Sequence, residues 1–402
     1  MMFKICFYIL SVLFILTSCK KFSPENNLKV RITVPLLRSD HQIMLSSISD
    51  SLQYIKLETT DECLIGGIDK IYSVGDKLII LDGRITNSIF FYNQYGAFIN
   101  KINKKGRGPG EYIAISDIAI NDKDEEIIIW DIRSRKLLFY SFGGDFLYDI
   151  EFPYFGRSIE YICDGLLAVY CDYSLNRNLF VRNTSPNLIL FNIKTRKEKY
   201  DIYFDSTIKT DAVIINLNYF SSFRDQVLLF PNLSNSVYGI SNDGIEEKYY
   251  LDFGIPFKQR MDTYIKNLPD LTVSNALTAQ QKSNLPFVLN ILSSNEIIFF
   301  FYTYNRSVFY NGFYYPVSNT YIEASSIKKE NSPIVLVKND IDNTIPFWPI
   351  SASKENIFYC VIESFNFINF AKNSENEKIR DLSRNTDSQD NPIIMKSFMK
   401  TL

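Results

Sequence analysis

Two stretches of the chain repeat one pattern of apolar and polar positions. Ile79-Ile80-Leu81-Asp82-Gly83-Arg84 returns 49 residues later as Ile128-Ile129-Trp130-Asp131-Ile132-Arg133. Each is followed by an apolar-aromatic run, Ile89-Phe90-Phe91-Tyr92 and Leu137-Leu138-Phe139-Tyr140. A glycine-bearing turn comes next, Asn93-Gln94-Tyr95-Gly96 and Ser141-Phe142-Gly143-Gly144. Short apolar runs bounded by turn signals read as strands. Their repetition at this period predicts an all-β fold, a β-propeller-like array in which each unit is one small sheet.

The pattern extends along the chain. Unit one covers about 68–102 and unit two about 115–152. Unit three starts near Ile159 and carries apolar runs at 166–170 and 188–191. Unit four has runs at 227–230 and 237–240, and its turn Ser241-Asn242-Asp243-Gly244 aligns without a gap on the turn ending at Gly96. Unit five has runs at 297–302 and 307–310, and unit six one at 357–361. A compact four-stranded blade takes ~40–45 residues, so the length would allow about eight. Six clusters are visible, and insertions account for the excess. The expected architecture is a six-bladed propeller of four-stranded antiparallel blades over residues 28–402. A helical insertion is expected at about 257–288, with helical stretches near 259–268 and 271–282, and a polar helix over 371–384. Residues 28–37 read as a lead-in strand, 54–58 as a half-buried strand and 391–398 as a last strand. The strand at 54–58 is expected to meet the C-terminal unit, because a closed ring removes open sheet edges.

The N-terminus changes the picture. Lys4 precedes an almost wholly apolar run, residues 5–16, and Leu16-Thr17-Ser18-Cys19 follows. That is a secretory signal, residues 1–18, ending in a lipobox. Cleavage would leave Cys19 as the lipidated residue, ahead of a polar tether at 20–27. The membrane is therefore an expected partner, through the lipid. The net charge of −2 becomes −3 when Lys4 is lost, with no basic excess for nucleic acid. Aromatics form 15% of the chain, which suits β-structure.

Cys63, Cys163, Cys171 and Cys360 have no CxxC spacing, which argues against a zinc or redox site. Cys163 and Cys171 either bridge a hairpin or remain buried free thiols; the second is the favoured reading. His41 is the single histidine and precedes the first unit. A His-based triad, a multi-His zinc site and a His general base are thereby excluded from the propeller. No cofactor is expected and no metal ligand set is assigned.

Three groups of residues are candidates for chemistry. The loop Gly106-Arg107-Gly108-Pro109-Gly110-Glu111-Tyr112 has no Lys-Ser or Lys-Thr after it and is no phosphate loop. Its glycines permit close backbone approach. Arg107 and Glu111 are placed to pair, and Tyr112 to pack on the neighbouring sheet; the alternative is a position at the channel mouth. Asp82 with Arg84 and Asp131 with Arg133 either ring that mouth for a polar ligand or form ion pairs and Asp-capped turns within blades. The aromatics Tyr302, Tyr304, Tyr310, Phe313, Tyr314 and Tyr315 either stack on sugar rings or fill the space between sheets.

Leu57-Glu58-Thr59-Thr60, Leu64-Ile65-Gly66, the glycine-rich loop and Asp390-Asn391-Pro392 together resemble the six-bladed β-propeller lipoproteins of Bacteroidota, relatives of the NHL and TolB-like propellers. The resemblance covers nearly all of the mature chain. It implies six blades, an exported outer-membrane lipoprotein and a binding role, with no established reaction. Cys63 stands where the pattern has a small polar residue, and Lys20-Lys21 lacks the acidic cue for surface display. The leaflet stays open. The expected function is a binding or scaffold module for a glycan, peptide or envelope protein. The alternatives are a hydrolase or lyase on an extracellular polymer, with Asp82, Asp131 and Glu111 as the first carboxylates to test, and a subunit of an envelope complex.

Overall fold

Leu78, Ile79, Ile80 and Leu81 are all buried in the computed structural model, as are Ile89, Phe90, Phe91 and Tyr92. The strands that carry them, Lys77–Asp82 and Ser88–Asn93, lie in the middle of a four-stranded sheet with another sheet packed on each face. Successive side chains of a strand point to opposite faces. Ile79, Leu81, Ile89 and Phe91 therefore meet Ile118, Ile127 and Ile129 of the next sheet. Leu78, Ile80, Phe90 and Tyr92 meet Ile55, Tyr359 and Ile394 on the other side. Burial on both faces is why these strands read as continuous apolar runs.

The structure describes residues 29–174, 176, 179, 184–205, 218–232, 234–256, 285–329, 334–343, 345–372 and 374–402. The signal segment, Cys19, the tether at 20–27 and the helical stretches expected at 259–268 and 271–282 lie outside these residues. Six blades of four antiparallel strands are present. Blade 1 is Lys70–Val74, Lys77–Asp82, Ser88–Asn93 and Phe98–Ile102. Blade 2 is Asp117–Asn121, Glu126–Asp131, Lys136–Ser141 and Phe146–Glu151. Blade 3 is Ser158–Cys163, Leu166–Tyr170, Thr184–Asn192 and Glu198–Asp205. Blade 4 is Phe220–Phe223, Gln226–Leu229, Ser236–Ser241 and Gly244–Asp252. Blade 5 is Pro286–Ser293, Ile298–Tyr304, Val308–Tyr315 and Thr320–Ile327. Blade 6 is Pro349–Ala352, Ile357–Ile362, Ile393–Met399 and, from the other end of the chain, Ser49–Lys56. The first strand of each blade is innermost and touches its counterparts around the axis.

Several boundaries differ from the sequence-based expectation. Pro286–Ser293 pairs with Ile298–Tyr304 and supplies the inner strand of blade 5, so residues 286–288 belong to the propeller. The polar helix expected over 371–384 is shorter, Glu377–Arg384, and a further helix that was not expected, Ser364–Ala371, precedes it. Phe367 and Ala371 anchor the preceding helix in the core between blades 5 and 6. The polar helix starts afresh at Asn376, whose side chain accepts from the Lys378 N–H. The lead-in strand, Val30–Thr33, runs parallel to Gly244–Asp252 and adds a fifth strand to the outer edge of blade 4.

The ring closes as the strand at 54–58 predicted, with Tyr54 opposite Met395 and Lys56 opposite Ile393. Asn391 secures that junction. Its side-chain oxygen accepts from the Ile65 N–H at 2.8 Å, and its Nδ2 donates to the carbonyls of Glu58 at 2.7 Å and Cys63 at 2.9 Å. The residue is buried, so removing the amide strands polar groups that water cannot reach. Asn391→Ala should lower stability by roughly 2–4 kcal/mol. The check is a urea titration; an unchanged midpoint would remove Asn391 from the closure.

Candidate functional site

The residues singled out in the sequence gather on one face, at the end where the inner strands begin. Asp82 closes the second strand of blade 1 and is buried. Its oxygens accept from the N–H groups of Gly66 (2.8 Å), Gly67 (3.2 Å), Ile85 (3.1 Å) and Thr86 (3.1 Å), and from the Thr86 hydroxyl (2.8 Å). Asp131 takes the same place in blade 2 and accepts from Ile113 N–H at 2.7 Å, Arg133 N–H at 3.0 Å and Ser134 N–H at 3.2 Å. Arg84 is exposed and pairs with Asp69. Arg133 is exposed and has no ion pair among the described residues.

The glycine-rich loop lies between blades 1 and 2. The Glu111 carboxylate folds back onto the Gly108 N–H at 2.7 Å, while Arg107 points to solvent without an ion pair among the described residues. A Cβ at Gly106 would stand 1.9 Å from the Glu111 carboxylate, so a side chain there would push Glu111 out of its place. Gly110 has φ +72° and accepts from the Tyr140 hydroxyl. Tyr112 is fully buried and donates to the Asn87 carbonyl at 2.9 Å. Burial raises its pKa to about 12. These seven residues share a face, and Tyr112, Glu111 and Asp131 share one junction, yet their polar atoms are largely spent on backbone. The aromatics of blade 5 likewise fill interfaces: Tyr302 and Tyr310 stack at 4.7 Å inside the core against blade 4.

The thiols form no bridge: all four described cysteines are free. Cys163 is partly exposed and the others are buried. Cys163 and Cys171 sit at opposite ends of one hairpin, since Cys163 pairs with Leu166 while Cys171 follows Tyr170. Five strand steps of ~3.3 Å separate those ends, well beyond the reach of a disulfide.

A cavity of about 290 Å³ runs along the axis. It begins at Lys70 and Asn218 and ends at the turns that carry Gly75, Asp122, Asp225, Lys354 and Glu355. Those turn residues are exposed, so this is the end open to solvent. The space holds roughly ten waters at ~30 Å³ each. Its inner end is pinned by Lys70, which reaches from blade 1 to Asp117 of blade 2 at 2.6 Å and to Ser158 Oγ of blade 3 at 3.3 Å. Asp117 also accepts from the Ser158 hydroxyl at 2.6 Å and the Ile159 N–H at 3.0 Å.

Glu160, on the inner strand of blade 3, lines this cavity. It makes no hydrogen bond or ion pair with any described residue. Burial pushes its carboxyl up to about 8; nearby Asp117 adds to the rise, and the ammonium groups of Lys70 and Lys354 oppose it. The sequence reading passed over Glu160. The available signal was an acidic residue inside the otherwise apolar run Ser158-Ile159-Glu160-Tyr161-Ile162, but without the ring nothing distinguished it from a solvent-facing position.

A closed ring around a polar, water-accessible axis defines a six-bladed β-propeller with a candidate binding cavity. The chain belongs to the family described as a domain of unknown function (DUF4934), whose sequence profile matches residues 30–397. No curated protein matches it. It is similar in fold to a Bacteroides fragilis protein described as exported, with a TM-score of 0.75 and 20% identity over 92% of this chain and 100% of the other. A member of the DUF4221 family from Bacteroides vulgatus superposes with a TM-score of 0.50 and 9% identity over 90% of this chain and 99% of the other. Both likenesses concern the fold alone.

Two stability measurements separate buried from exposed roles. Asp82→Ala should cost at least ~3 kcal/mol, since it leaves buried donors unpaired, whereas Arg84→Ala should cost under ~1 kcal/mol as an exposed pair. Equal effects in chemical denaturation would contradict the geometry. Glu160 has a folded pKa above its unfolded value, so its neutral form is present in the fold at pH values where the unfolded chain ionises. Native stability should therefore fall as pH rises from about 4.5 to 8. Glu160→Gln should flatten that slope and raise stability at pH 8.

Proposed function

We propose that this protein is a cell-envelope lipoprotein, anchored at Cys19 in the outer membrane, whose propeller is a binding module for a small polar ligand such as a glycan end or peptide. The observation that carries the reading is the axial cavity, which is polar, open at the turn end, and walled by a carboxyl that no described residue satisfies. Polar groups converging in a preformed concavity are the usual features of a ligand site. No helix among the described residues is long and apolar enough to cross a membrane. Attachment through two or more acyl chains would suffice to hold the protein.

The second reading, a hydrolase or lyase, is favoured by one observation: a carboxyl with pKa near 8 is suited to act as a general acid at neutral pH. Under that reading Glu160 takes the role first considered for Asp82, Asp131 and Glu111, whose oxygens are occupied by backbone donors.

Screening the purified chain against a glycan array and short peptides tests the binding reading. Asp122→Trp, at the open end, should weaken any hit at least tenfold, while Arg84→Ala and Arg133→Ala on the opposite face should leave it unchanged. The reverse result would move the site to the loop face. Product formation from a hit that Glu160→Gln abolishes would replace the binding reading with the enzymatic one.

A further inference from the structure

We propose that the axial cavity selects a ligand carrying an ammonium group, and that Glu160 is the residue that anchors it. The inference rests on the cavity being the binding site. Its first support is the contrast between two neighbouring carboxylates. Asp117 has Lys70, the Ser158 hydroxyl and the Ile159 N–H as donors. Glu160, one strand position beyond Ile159, has none among the described residues. Glu160 is half-buried at the cavity wall, so its oxygens face the cavity rather than a protein donor and are open to a ligand donor.

The second support is the charge around the cavity. Asp122 of blade 2, Asp225 of blade 4 and Glu355 of blade 6 join Glu160 on its lining. Lys70 is already neutralised by Asp117, which leaves Lys354 as the one opposing cation among the described lining residues. Tyr72 of blade 1 and Tyr161 next to Glu160 stay neutral, because burial raises both phenols. Blade 5 contributes only Leu292. The acidic lining of this funnel therefore draws a cation inward, and an ammonium with three donors can serve several of its oxygens at once.

Binding would move one proton. At pH 7 Glu160 is mostly neutral, its carboxyl having been pushed up to about 8. An arriving ammonium keeps its own protons and stabilises the carboxylate, so the Glu160 proton leaves to water. A neutral hydroxyl ligand would leave that proton in place. The ammonium can belong to an amino sugar or to a peptide, and the probes below tell these apart.

Calorimetry on the purified chain at pH 7, in two buffers of different ionisation enthalpy, provides the test. One pair of probes is methyl glucoside and its 2-amino-2-deoxy analogue. The other is alanylalanine amide and its N-acetyl form. The amine of at least one pair should bind ten times or more tighter than its neutral partner, releasing close to one proton. Glu160→Gln should abolish both the preference and the release, with a Tm at or above that of the native chain to show that folding is intact. Equal binding within both pairs, binding without proton release, or a preference that survives Glu160→Gln would overturn the inference. So would the absence of binding by all four probes. The wider cavity reading is judged separately, by whether Asp122→Trp blocks hits from the glycan and peptide screen.

Discussion

Everything in this molecule depends on the contact between its two ends. Six separate apolar interfaces, one between each pair of neighbouring blades, make up the core. Five join sheets that follow one another in the chain. The sixth packs Tyr359 and Ile394 of blade 6 against Leu78, Ile80 and Phe90 of blade 1, with Ile55 inserted from the N-terminal strand. A blade buries its two faces only against neighbours, so an open ring would expose two apolar faces and leave blade 6 without its outer strand. Pairing of Ser49–Lys56 with Ile393–Met399 prevents both, and Asn391 ties the strand ends to the loop that enters blade 1.

Closure brings the inner strands together around the axis and decides what can line it. Polar side chains there reach across to other blades: Tyr72 donates to the Ile118 carbonyl at 3.1 Å and Ser351 to the Ile71 carbonyl at 2.6 Å, each in the next blade, while Asn218, just ahead of blade 4, donates to the Ile350 carbonyl of blade 6 at 3.0 Å. These bonds tie the blades to one another across the axis. Glu160 differs in lining the cavity half-buried, without a hydrogen bond or ion pair to any described residue. The molecule also divides its two faces. The Asp-capped turns and the glycine-rich loop lock the face where inner strands begin, while the opposite face leaves the cavity open. A rigid locked face is what allows an open one to hold a defined shape.

The amount of fold that could be read in advance varied with the signal. Blades 1 and 2 were legible almost to the residue, because their middle strands are buried on both sides and carry unbroken Ile, Leu and Phe between glycine turns. Blade 5 was less so: its inner strand Pro286–Ser293 begins with proline, and residues 286–288 were assigned to the insertion. The helix Ser364–Ala371, ahead of the expected 371–384, turns on Phe367 and Ala371 finding a core between blades 5 and 6, a partner no local pattern reveals. Asp82 and Asp131 illustrate the same limit for the site. Their recurrence was visible, and both the turn and the channel-mouth readings fitted it, since an aspartate after a strand looks alike whether it caps backbone or faces a ligand.

Local periodicity and turn chemistry thus determined the strand content, the repeat and the number of blades, because those depend on short-range burial and φ preference that each segment carries within itself. They also led to the pairing of the strand at 54–58 with the C-terminal unit, since a closed propeller ring needs strands from both ends in one blade. The tertiary structure alone decided which polar residues meet water at the axis. Lys70, Asp117, Ser158 and Glu160 come from three blades, and only their convergence around a closed ring makes one carboxylate a structural tie and leaves the other without a described partner at a cavity wall.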